Sequence, residues 1–149
     1  MDAFVLDASI AISWCFPGDP TENTPYSRAI LDLLEEADAI VPEIWPFEIA
    51  NSIFVSFSRR KRIGEDQVNR YMDLITSLPI RVERRSWTEH LALESLARKH
   101  DLAAYDVAYL ELAKRRGLSL ATTDANLKKA AQAEGVKPTP ASLEGITAT

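Results

Sequence analysis

The chain has 149 residues, 46% of them hydrophobic and 26% charged, a composition that fits a globular domain and excludes a disordered or fibrous chain. A net charge of -5 argues against a protein that coats nucleic acid by bulk electrostatics, although clustered acids can hold cations and local basic patches can still steer phosphates. No apolar run is long enough to span a membrane, MDAFVLDAS lacks the features of a signal peptide, and the single cysteine, Cys15, excludes an intrachain disulfide, so a cytoplasmic protein without membrane contact is expected.

In chain order, the apolar run at 3–6 predicts a buried strand ending at Asp7, with Ser9 as N-cap of a helix over 10–16 that carries Cys15 as a buried structural thiol. A proline- and glycine-rich loop at 17–25 separates it from a helix over roughly 26–37, and 39–42 reads as a second strand. Helices are expected at 43–61, 65–77 and 87–100, with a short strand at 80–83. His90 and His100 fall on the last of these and read as helix-surface residues. A helix centred on Asp106 follows, then a glycine stop, a strand ending at Asp124, a helix over 125–134 and a candidate edge strand at 135–138. No repeat or linker interrupts the pattern, so one domain over 1–138 with a loosely held tail at 139–149 is expected. Short strands alternating with helices indicate an α/β domain around a mostly parallel sheet of four to five strands, whose sites gather beyond the carboxyl ends of the strands.

Four carboxylates stand out. Asp7 and Asp124 each end an apolar strand and precede a helix, which puts both at the carboxyl edge of the sheet; the ordinary explanation for each is helix capping. On the helix through 44–60, Glu48 lies among Trp45, Phe47 and Ile49 and shares a face with Asn51, Ser52, Val55, Arg59 and Arg62. Asp106 is the most anomalous. At about 100° per residue, Leu102, Ala103, Tyr109, Leu110 and Ala113 fall within about 60° of it, so it occupies the centre of an apolar face. An ionised carboxylate there loses hydration that apolar neighbours cannot return. Carboxylates drawn together repel and call for positive charge between them, and ligation by oxygen alone, with no cysteine or histidine cluster, selects Mg²⁺ or Mn²⁺ over zinc.

The segments FVLDAS at 4–9, FEIANSI at 47–53, AYDVAYLELA at 104–113 and LATTDANL at 120–127 together resemble the PIN-domain ribonucleases, especially the toxins of VapBC-type toxin–antitoxin pairs. The resemblance covers about residues 3–137 and keeps the family's motif order. It implies a three-layer α/β/α sandwich, a homodimer, a cognate antitoxin, and a metal-binding catalytic cluster formed by Asp7, Glu48, Asp106 and Asp124. Thr122 matches a hydroxyl position of the last motif, and Ser9 and Asn51 match polar neighbours of the acids. One departure is Ala103, where relatives place a serine or threonine that caps the helix; Asp101 is the expected substitute cap.

The activity expected from these readings is Mg²⁺-dependent endoribonuclease cleavage as the toxin of a type II toxin–antitoxin pair, with Arg59 and Arg62 contacting phosphates of the RNA. The alternatives are a catalytically degenerate module that binds RNA or antitoxin, and an aspartate-phosphorylating hydrolase. The second of these wants an acid two residues after Asp7, where Ser9 stands. A receiver-like module wants paired acids after the first strand and a lysine after a late one, and has neither here. Phe47, Ile53, Phe54 and Phe57 carry more apolar surface than one small sheet face covers, which independently suggests a homodimer.

Overall fold

The computed structural model describes residues 2–141 and is an α/β/α protein built on a four-stranded sheet of order β3-β2-β1-β4, with every pairing parallel. β1 (Ala3–Leu6) lies inside the sheet, and Phe4, Val5 and Leu6 are all 0% exposed. A strand covered on both faces needs an unbroken apolar run, which is why the sequence there does not alternate. β2 (Asp38–Pro42) pairs with β1 through Val5 and Ile40, and β3 (Ile80–Glu83) closes that side. On the other side β4 has only two residues, Leu120–Ala121, with Leu6 opposite Ala121. The expected edge strand at 135–138 is reduced to a single bridge between Leu120 and Pro138.

Between β1 and β2 run α1 (Ala8–Ser13) and α2 (Pro25–Leu33); α2 opens with Thr24 as N-cap and a proline at its first position, where no amide is needed. α1 starts two residues earlier than the sequence suggests. Asp7, not Ser9, is its N-cap, because the chain stays extended through Asp7 and the Asp7 carboxylate accepts the Ser9 amide.

The helix expected over 43–61 divides. α3 (Ile44–Phe54) gives way to a π-helical turn over Val55–Arg59, in which the Arg60 amide reaches back to the Val55 carbonyl at 2.8 Å. Lys61 then takes a left-handed backbone at φ 52, and Arg62 lies off the helix altogether. α4 (Glu65–Ser77) leads to β3, and α5 (Trp87–Leu91) starts from a reciprocal Ser86–Glu89 capping box. Ala92 separates α5 from α6 (Leu93–His100), so the single helix expected over 87–100 is two short ones.

α7 (Ala104–Arg116) lies against β1, β2 and β4 and ends at Gly117, whose φ of 64 suits the left-handed stop. Its N-cap is Ala103, which offers no side-chain bond. Asp101 does not substitute for it, being held instead in a left-handed conformation as the C-cap of α6. α8 (Ala125–Ala133) completes the chain of elements. Cys15 is buried as expected. Of the segment expected to be a loose tail, Thr139 is buried, its amide bonds the Leu120 carbonyl and its carbonyl accepts the Tyr26 hydroxyl; residues 142–149 lie outside the described residues. Among the described residues no helix is long and apolar enough to cross a membrane.

Candidate metal centre at the carboxyl edge of the sheet

Asp7 and Asp124 leave the sheet from adjacent strands, β1 and β4, and both cap the helix that follows. Capping here fixes the acids in place. Asp124 accepts the Leu127 amide on Oδ1 at 2.9 Å, while its residue remains exposed. Asp7 is 8% exposed, and its Oδ2 accepts hydroxyl bonds from Ser9 at 2.9 Å and Thr122 at 2.6 Å. Thr122 is itself buried at the end of β4 and accepts the Asp124 amide at 3.1 Å, so one hydroxyl joins the two strand ends.

Glu48 enters from the first half of α3 and Asp106 from the first turn of α7; both are half-buried. Burial pushes the Glu48 carboxyl above its ordinary range; a hydrogen bond from Tyr109 opposes this, and the charges of Asp7 and Asp106 add to it. Asp106 is raised by burial and then by Asp124 and Asp7. Each of the four acids therefore lies within the field of at least one other, and no arginine or lysine figures among the charges acting on Glu48 or Asp106. The pairing of Asp106 with a cation of its own chain, the simplest structural use for such a residue, is absent from the described ion pairs.

Four carboxylates with no balancing charge are the donor chemistry of a hard divalent cation such as Mg²⁺ or Mn²⁺. Their present spacing is looser than a finished coordination sphere. Among the described residues no three acidic, histidine or cysteine side chains are drawn close enough to hold one ion.

The second-tier residues divide. Ser9 and Thr122 both hold Asp7, and Asn51 is exposed on α3 three residues past Glu48, on a neighbouring part of the same face. Arg59 is exposed, with its guanidinium 5.6 Å from the centre of the Phe54 ring. Arg62 is not on the Glu48 face, because the π-helical turn ends the helix before it. It pairs with Asp19 at 3.6 Å and Glu22 at 3.4 Å and stacks on Phe16. The residue that sequence reasoning overlooked is Tyr109, counted there as part of the apolar face of Asp106. It is 1% exposed, and its hydroxyl donates to Glu48 Oε1 at 2.6 Å. The available signal was a single hydroxyl on that otherwise apolar face, which must find a partner when buried.

The model of the PIN domain family matches residues 4–133. Among solved structures, the crystal structure of PAE2754 from Pyrobaculum aerophilum superposes with a TM-score of 0.65 at 17% identity, covering 99% of this chain and 97% of that one, a likeness of fold. No curated protein matches.

Proposed function

The chain belongs to the PIN-domain family, whose members are generally nucleases, and we propose that it is a divalent-metal-dependent endoribonuclease that acts as the toxin of a toxin–antitoxin pair. The observation that supports this reading is that four carboxylates from four separate segments each feel the charge of at least one other, two of them raised by burial and by those charges. Such an arrangement costs stability unless positive charge or a shared proton lies between the acids, and a divalent cation supplies the former.

Asp7, Glu48, Asp106 and Asp124 would hold Mg²⁺ or Mn²⁺, which when bound supplies Lewis acidity towards water and neutralises charge at the scissile phosphate. The chain's own contribution is positional. Ser9 and Thr122 fix the Asp7 carboxylate, capping fixes Asp124, and Arg59 is available to a phosphate of the bound strand. No side-chain nucleophile is required.

Cleavage of RNA by the wild-type protein in Mg²⁺, its loss in EDTA, and its loss in Asp106→Asn with an unchanged melting curve are the expected results. Cleavage undiminished in both the chelated protein and the variant would overturn the proposal. A second reading, a catalytically degenerate module that binds RNA or antitoxin, is favoured by the loose spacing of the acids. It predicts retained binding with no cleavage at any Mn²⁺ concentration.

The toxin role follows from the motif resemblance and brings with it an antitoxin and a homodimer. Phe47, Phe54 and Phe57 are 72%, 49% and 42% exposed, an apolar surface suited to a second copy; Ile53, expected on the same surface, is buried in the core. An antitoxin arginine placed among the acids is the inhibition expected, and it would compete with Mg²⁺.

A further inference from the structure

Tyr109 heads the fully buried side chains of the described residues by volume, and its hydroxyl ends against a carboxylate. Tyr71 and Tyr26 also bury most of their rings, and both satisfy the hydroxyl on a backbone carbonyl, of Ala11 and Thr139 respectively. Tyr109 instead donates to Glu48 Oε1 at 2.6 Å. A phenol oxygen lies on the rotation axis of its ring, so ring flips leave it in place. Glu48 has the opposite character: three side-chain torsions, partial exposure, and two like charges, those of Asp7 and Asp106, acting to push it away.

We propose that Tyr109 is a positioning residue that holds the Glu48 carboxylate towards Asp7 and Asp106, keeping it available to a divalent cation. This rests on the reading of the acids as a metal centre. The bond joins α7 to α3 across 61 positions of sequence. It also gives α7 two functions three residues apart: Asp106 enters the cluster directly, and Tyr109 orients an acid on another helix. If the hydroxyl served packing alone, phenylalanine would fill the same volume without consequence for the metal.

The test is Mn²⁺ affinity, read by calorimetry and by the paramagnetic resonance of free Mn²⁺, in wild type, Tyr109→Phe, Glu48→Gln and the double variant, each with its melting curve. Tyr109→Phe should melt close to wild type and bind Mn²⁺ roughly 10- to 100-fold more weakly, the usual effect of losing an orienting partner of a ligand. In the Glu48→Gln background the same change should weaken Mn²⁺ no further, because the group it orients is gone. Equal affinity in wild type and Tyr109→Phe overturns the assignment while leaving the metal centre standing. Absence of Mn²⁺ binding by the wild type overturns both. Should Tyr109→Phe fail to fold, wild-type protein labelled with ¹³C at the tyrosine carbon bearing the hydroxyl decides: Mg²⁺ should shift the Tyr109 signal, and an unmoved signal under saturating Mg²⁺ overturns the assignment.

Discussion

Thr122 and Asp7, 115 positions apart in the chain, are joined by a 2.6 Å hydrogen bond that links the ends of β4 and β1. Because the same hydroxyl accepts the Asp124 amide, Thr122→Val unmakes two bonds at once. We expect it to cost about 1–3 kcal/mol, the penalty for leaving buried partners unpaired, and to reduce cleavage further by freeing Asp7. Thr122→Ser keeps the hydroxyl and should recover most of both. Urea unfolding checks the first statement; a cost for Thr122→Val no larger than that of Thr122→Ser would refute it.

The acids set a pH dependence with a definite sign. Glu48 and Asp106 are raised in the folded protein, so the folded state binds more protons than the unfolded one as pH passes upward through their range. Their contribution to metal-free stability is present below the ordinary carboxylate pKa and is lost as pH rises through the raised values. The double variant Glu48→Gln/Asp106→Asn removes this loss. It should match or exceed wild type in stability near neutrality and lose the advantage in acid. With Mg²⁺ at about 100 times its Kd the order reverses, since wild type alone gains about 2.7 kcal/mol. Chemical denaturation across pH, with and without Mg²⁺, measures both halves.

Glu134 works in the opposite direction. It accepts hydrogen bonds from Lys114, Lys99 and His100 at 2.7–2.8 Å, which together hold its carboxyl down to about 2 from the usual 4.5. His100, expected at the helix surface, has only 11% of its side chain exposed because it is drawn into this cluster. The stabilisation is present above the ordinary glutamate range and is lost as pH falls towards about 2. Glu134→Gln should therefore lower the unfolding midpoint near neutrality and leave a shallower acid limb between those two values. Parallel acid limbs in the two proteins would rule the effect out.

The exposed phenylalanines make a statement about mass. Wild-type protein should run as a dimer of the 16.6 kDa chain in light scattering, and Phe47→Ser/Phe54→Ser should run as a monomer of unchanged helicity. A monomeric wild type would remove the dimer from the proposal.

Arg59 and Arg62 should separate experimentally, since only the second is committed to Asp19 and Glu22. Arg59→Ala is expected to weaken RNA binding and lower the slope of log affinity against log salt by about one. Arg62→Ala should instead loosen the loop it braces, seen as faster proteolysis within residues 17–25. Identical salt slopes for wild type and Arg59→Ala would exclude a phosphate contact there.

Much of the fold could be read from periodicity: the strand at 80–83 and the helix at 65–77 lie where the sequence places them, as does the strand ending at Asp7. Errors gathered where local signals compete. Ser9 has the right chemistry for a cap, yet Asp7 does the capping because the strand hands it an extended backbone two residues sooner. The π-helical turn at 55–59 leaves no mark in apolar spacing, and it carried Arg62 off a face that helical counting had assigned it. Asp106 stood out because a charge at the centre of an apolar helix face is anomalous in any context, and Asp7 and Asp124 because each follows an apolar strand. Tyr109 did not, because a tyrosine on an apolar face looks like core until its hydroxyl is seen to end on Glu48.

Asparagine caps helices about as well as aspartate. At Asp124, where one exposed side chain both starts a helix and offers charge to the site, exchange for asparagine would leave the helix start intact while removing that charge. Descendants of this sequence could thus lose that charge in a single step that no folding assay would register, keeping the scaffold and its surfaces for other duties. Selection for stability cannot guard this position. Only selection for the reaction itself can.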